Sequence, residues 1–282
     1  MTKKTEIPDW ETLLAHAALL QAKIPAAILV GGTAAAVHAG HRISFDHDHV
    51  VKDLAKNYDA AIRALESIAG WHTHRRVKGK MVLGNVNKIA AGLRNQRRSA
   101  PLETTEVVVR DGRRLRLPTI EETLRIKTFL VVDRNATRDY LDVAALSHHI
   151  GLTKSAAALE RMNEFYAEFK DQAGDLLTAI VVKLSLPDPY DLTDIDLSEY
   201  KGIVAPWNDW RAVQRVSRRS VGGVGPLIDA SVADVVEPSP ARSPPGESHS
   251  NRPESIPFRH SAAPRGAASL DALRPCASHR RE

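Results

Sequence analysis

The chain has 282 residues, enough for one large domain or two small ones, with 26% charged and 43% hydrophobic residues and a formal net charge of +5. A single cysteine, Cys276, excludes a disulfide framework and a cysteine-rich zinc site. There is no apolar run of about 18 residues that could span a membrane, the opening MTKKTEIPDWETLL lacks the apolar stretch of a secretory signal, so a cytoplasmic location is expected, and the basic balance favours anionic partners such as nucleotides or RNA.

Residues 9–22, DWETLLAHAALLQA, read as an amphipathic helix capped by Asp9, with Glu11 in its first turn. AAILV, ending at Val30, is a short apolar strand. Gly31-Gly32 forms a turn, and Thr33 to Ala39 a small-residue helix. Ser44 to Val51 alternates like a strand. Residues 54–69 have apolar positions at helical spacing and stop at Gly70. Trp71 to Val77 is a candidate strand, and Asn87 to Arg98 reads as a basic helix or loop. Asp111-Gly112 between two β-type runs, Thr105 to Val109 and Arg114 to Leu117, signals a hairpin. Thr119 with Glu122 is a capping box opening a helix over Leu124 to Val132, and a second helix runs from about Thr137 to His148. Helical segments fill 153–168 and 171–184. Alternation of strand and helix followed by helices alone predicts an α/β (α+β) core over 1–150 and a helical region over 151–217. Residues 218–282, rich in Pro, Ser, Arg and Gly, carry too little apolar surface to offset ordering entropy and read as a disordered tail.

Asp46 and Asp48, two apart on a strand, share one face. Two such carboxylates repel unless a cation lies between them, and Mg²⁺ (or Mn²⁺) takes one or two carboxylates together with the phosphate oxygens of a nucleoside triphosphate. The glycine turn Gly31-Gly32 and the helix after it suit phosphate, since backbone N–H groups and a helix N-terminus favour an anion, and Thr33 offers a hydroxyl. Ser44 shares the strand parity of the two aspartates, and so does Arg42 if the strand extends that far. His47 and His49 face the other way, either as hydrogen-bonded core groups or on an edge strand.

GGTAAAVHAGHRISFDHD resembles the first motif of DNA polymerase β-like nucleotidyltransferases, and more closely the AbiEii/AbiGii toxin family, with its Gly-Gly-Thr/Ser and His-Arg-x-Ser-x-Asp-x-Asp pattern. LRLPTIEETLRIKTFLVVDRNATRDYLDVAAL, residues 115–146, is similar to the family's second conserved stretch. The resemblance implies a nucleotidyltransferase-like mixed sheet flanked by helices. In it Asp46 and Asp48 bind metal, Gly32 and Thr33 hold the triphosphate, Lys127 contacts the nucleotide, and Arg138 with Asp139 completes the site. It also implies a toxin of a toxin–antitoxin pair, with a cognate antitoxin as partner and tRNA as a possible nucleotide acceptor.

Read by spacing alone, Lys127, Arg134 and Arg138 fall on one face of a continuous helix, although Asn135-Ala136-Thr137 is a natural break. Asp142, four residues after Arg138, fits either an intrahelical ion pair or the site. Lys127 amid apolar neighbours either snorkels from a core helix or aims at an anion. The resemblance to polymerase β-like enzymes also implies a third metal carboxylate on a later strand, for which Glu106 is better placed than Glu103. Basic clusters at Arg75 to Lys80, Arg94 to Arg98 and Arg110 to Arg116 could meet an RNA backbone or be solvated surface charge. Two other functions fit the same residues: a non-catalytic nucleotide- or RNA-binding module, and a nucleotidyltransferase acting on a small molecule such as an antibiotic.

Overall fold

The computed structural model describes residues 9–169, 175–200 and 202–223. All of them lie in the unit Met1–Gly225. The segment read as a tail, Cys276 included, lies outside the described residues from 224 onward, while 218–221 continue a helix.

Helix α1 spans Trp10–Lys23, and the Asp9 carboxylate accepts the Thr12 amide hydrogen at 3.3 Å, as its capping position predicts. Strand β1 (Ile28–Val30) runs directly into α2 (Gly31–Ala39), with no separate turn between them. Gly31 makes the corner itself at φ 78°, a region that a side chain disfavours. Then come β2 (Asp46–Val51), α3 (Tyr58–Glu66) and β3 (Trp71–Val77).

The stretch read as a basic helix or loop is instead mostly strand. β4 (Met81–Val86) and β5 (Ile89–Asn95) form a hairpin through Asn87 and Lys88, both at positive φ, 48° and 72°. The turn is Asn-Lys rather than Asn-Gly. The strands are buried on both faces over most of their length, so neither the glycine signal nor polar–apolar alternation shows in the sequence.

These strands form a mixed sheet in the order β1-β2-β5-β4-β3, in which β2 pairs with β5 in parallel and every other pair is antiparallel. The hairpin over Asp111-Gly112 is as predicted: β6 (Thr104–Val108) and β7 (Arg114–Pro118) form a separate two-stranded sheet. Two helices follow, α4 (Ile120–Arg134) and α5 (Thr137–Ile150), broken at Asn135 in the left-handed conformation. Thr119 caps α4 by accepting the Glu122 amide hydrogen at 3.2 Å, but the Glu122 side chain turns away to Arg98 and Arg125, so only half of the capping box forms. The helical region continues with α6 (Leu152–Glu160), α7 (Met162–Phe165), α8 (Leu176–Ser185) and α9 (Trp210–Val221).

One apolar core packs Leu20 and Ile24 of α1 and Leu65 of α3 against Val51, Val82, Val86, Ala91 and Leu93 on one face of the sheet. A second joins Leu13 and Ala17 of α1 to Leu29, Leu115 and Leu117. The opposite face carries Asp46 and Asp48.

Candidate active site

β2 shows the strand alternation in full: the odd-numbered residues are buried and the even-numbered ones half-buried. Asp46 and Asp48 therefore share a face, and His47 and His49 enter the core behind it, fully buried. β2 is an inner strand, so the edge-strand reading of the histidines does not hold. They are core groups: neither ring nitrogen of His47 has a hydrogen-bond partner among the described residues, and the Ala17 backbone acts on His49. Burial pushes His47 down to about 4 and His49 further below the usual range, so both rings are neutral.

The start of α2 sits against the two aspartates. A Cβ on Gly31 would lie 3.6 Å from the Asp48 Cβ, and the Thr33 hydroxyl donates to the Asp46 carbonyl. Ser44 donates its hydroxyl to Asp46 Oδ1 at 2.9 Å. Thr33 and Ser44 thus hold β2 in place against the helix N-terminus. Gly32 has a different reason to be glycine: a Cβ there would collide with the Arg42 guanidinium.

Arg42 leads into a buried polar network that the sequence did not reveal. Its Nε and Nη2 donate to Asp142 Oδ1 and Oδ2 at 2.8 and 3.0 Å, and His41 Nε2 meets the same Oδ1 at 2.7 Å. Lys127 Nζ lies 2.6 Å from Asp142 Oδ2 and 3.3 Å from Asp139 Oδ1. Arg134 grips Asp139 with two hydrogen bonds, 2.5 and 2.7 Å. Lys127 is buried, so it does not snorkel; it is held between two carboxylates. Asp142 is held by Arg42, His41 and Lys127. Arg138 lies close enough to Asp48 and Asp139 to lower both.

Burial alone would raise both carboxylates. Arg42 and Lys127 hold Asp142 well below the usual range, and Lys127 and Arg134 hold Asp139 below it. His41 goes down, because burial outweighs Asp142. Three cations (Arg42, Lys127, Arg134) thus face two carboxylates beside the aspartate strand. The signal available in the sequence was the three-residue spacing of Asp139 and Asp142, which puts both on one face of α5.

Asp48 is the strained group. Burial, then the charge of Asp46, push it up to about 6, against the opposing pull of Arg94 and Arg138. Its Oδ1 is buried without a hydrogen-bond donor. Gly92, its register partner on β5, has no room for a Cβ because Asp48 Oδ1 occupies that space.

The fold does not bring Glu106 here. It lies on the β6–β7 hairpin, 3.2 Å from Arg114 and 3.7 Å from Arg116, lining a cleft with Gln21 and Pro25 at the end of α1. Glu103 pairs with Arg125. Among the described residues, no group of three or more His, Cys, Asp or Glu side chains is arranged to hold a metal. The cluster Arg94 to Arg98 is largely internal: the Arg94 and Arg98 side chains are 6% and 2% exposed, and Arg98 stacks over Phe165 and Tyr166. That cluster does not offer a face to RNA. Arg75 and Arg76 on β3 and Arg110 and Arg114 around the β6–β7 hairpin are exposed, and Arg113 is half-buried.

No family model matches the chain. Over 143 residues, 51% of its length, it is 34% identical to the heme uptake protein MmpL11 of Mycobacterium tuberculosis, but the match spans only 13% of that protein. Among the described residues, no helix is long and apolar enough to cross a membrane. Among solved structures it is similar to MenT4, a nucleotidyltransferase toxin from Mycobacterium tuberculosis H37Rv, at TM-score 0.52 and 14% identity over 80% of this chain and 87% of that one. A putative nucleotidyltransferase from H. pylori aligns at TM-score 0.40 and 19% identity over 75% of this chain and 93% of that one. The mixed sheet flanked by helices has the fold of the MenT4 nucleotidyltransferase.

Proposed function

We propose that the chain is a metal-dependent nucleotidyltransferase that moves a nucleoside monophosphate from an NTP to an acceptor, acting as the toxin of a toxin–antitoxin pair with tRNA as acceptor. The observation that carries this reading is the Asp46–Asp48 pair on one face of β2, set against the Gly31 corner of α2.

The residues fit a divalent ion. Asp48 is half-buried and repelled by Asp46, with its Oδ1 enclosed and without a hydrogen-bond donor, and a hard cation such as Mg²⁺ or Mn²⁺ held by the two carboxylates would relieve both costs. When bound, the ion supplies charge stabilisation on the phosphates and orients the attacking oxygen. The chain's own contribution is positional. The N-terminal turn of α2, at Gly31 to Thr33, favours the triphosphate. The network of Arg42, Lys127 and Arg134 supplies positive potential, and Arg138 beside Asp48 adds to it. The acceptor hydroxyl oxygen forms a bond to the α-phosphorus, the bond to the β-phosphate oxygen breaks, pyrophosphate leaves with that electron pair, and one of the two carboxylates takes the acceptor's proton.

The test is label transfer from each of the four α-labelled NTPs to total RNA, with Asp46→Asn as control. Transfer that requires Asp46 supports the reading. No transfer from any NTP, with NTP binding intact, favours a binding module instead.

A further inference from the structure

Resting on the metal reading above, we propose that Arg94 is a positioning residue that restricts the Asp46–Asp48 site to a single divalent ion. The register pairs Asp46 with Ala90 and Asp48 with Gly92, so β5 presents Ala90, Gly92 and Arg94 on the carboxylate face. A third carboxylate on this strand would bridge a second ion. This strand has a small residue, a glycine and then an arginine.

The Arg94 side chain is 6% exposed, with Nε 3.8 Å from Asp48 Oδ1. That distance is too long for a hydrogen bond, and Nε and Nη2 have no hydrogen-bond partner, while Nη1 rests on Met81 Sδ at 3.3 Å. A buried guanidinium with two unpaired donors is costly unless an anion offsets it. Asp48 is the carboxylate it faces, and the lack of a Cβ at Gly92 lets Oδ1 approach.

Asp46 and Asp48 are already opposed by the fixed Arg94 guanidinium, with Arg138 also acting on Asp48, so one divalent ion leaves this face positive. A second would sit beside both the first ion and Arg94, with no further carboxylate to hold it. Arg94 is too enclosed to touch nucleotide, so it acts through Asp48.

The full chain is titrated with Mn²⁺ and followed by electron paramagnetic resonance, with and without a non-hydrolysable NTP analogue, at alkaline pH. The wild type should give isolated Mn²⁺ signals with no exchange-coupled pair. Arg94→Met should bind free Mn²⁺ about tenfold more tightly, because a nearby cation is gone, and Arg94→Lys, which keeps the charge, should behave as wild type. A coupled Mn²⁺ pair in the wild type overturns the proposal and leaves the metal site standing, and this readout needs no variant to fold. Unchanged Mn²⁺ affinity in folded Arg94→Met also overturns it. If the wild type binds no Mn²⁺, or binds it equally well as Asp48→Asn, the metal reading and this proposal fall together.

Discussion

The guanidinium of Arg42 holds Asp142 by two hydrogen bonds of 2.8 and 3.0 Å, tying the loop before β2 to α5 across 100 residues of sequence. The same carboxylate takes His41 and Lys127, so one buried anion positions three basic side chains beside the aspartate strand. The site is therefore only as stable as this junction.

Removing the junction should be costly. Asp142→Asn leaves Arg42 and Lys127 buried against a neutral partner, and a loss of about 3–5 kcal/mol is expected in denaturant unfolding. In the wild type, Asp142 and Asp139 sit below the ordinary value of 3.8. Their stabilisation is present above that pH and is lost as the pH falls toward their folded values. Asp142→Asn should therefore flatten the acid limb below about pH 4. An unchanged limb would show that the pairing contributes little.

Asp48 should behave in the opposite sense. Its folded pKa, about 6, lies above the ordinary 3.8, so metal-free stability falls as pH rises through that window. Asp48→Asn should stabilise the metal-free protein at neutral pH by roughly 1–3 kcal/mol, with the gain vanishing below about pH 4. Adding Mn²⁺ should raise the melting temperature of the wild type and not that of the variant.

Gly32→Ala should displace Arg42, since the new methyl group collides with the guanidinium. The expected cost is about 1–3 kcal/mol, as for overpacking at a buried site. NTP affinity should fall with it, measured by calorimetry. Wild-type stability in this variant would mean that Arg42 can swing aside freely.

His47 is buried and neutral, titrating near 4 when folded against 6.5 as a free side chain. The unfolded chain binds that proton first, so stability drops as pH falls from 6.5 toward 4. His47→Leu removes two unpaired ring nitrogens at similar volume. It should be neutral or stabilising at pH 7 and shallower in this window by about one proton. A large loss at neutral pH would point to a hydrogen bond made through buried water.

Glu106→Gln should leave Mn²⁺ affinity within error, because Glu106 lies on the hairpin with Arg114 and Arg116. A clear drop would place it in the site after all.

Local signals in the sequence determined the Asp9 and Thr119 caps, the Asp111-Gly112 hairpin, the break at Asn135 and the shared face of Asp46 and Asp48. Each depends on a few neighbouring residues and on strand or helix periodicity. The β4–β5 hairpin escaped notice because burial on both faces erases alternation and its turn lacks glycine. Tertiary structure alone decided that Arg42 answers Asp142, that Gly32 makes room for Arg42, that Glu106 stays away, and that Arg94 on β5 stands beside Asp48. The physical reason is common to all four. Register between strands and the packing of α2 against α5 set which buried charges face one another, and spacing along the chain carries no record of either.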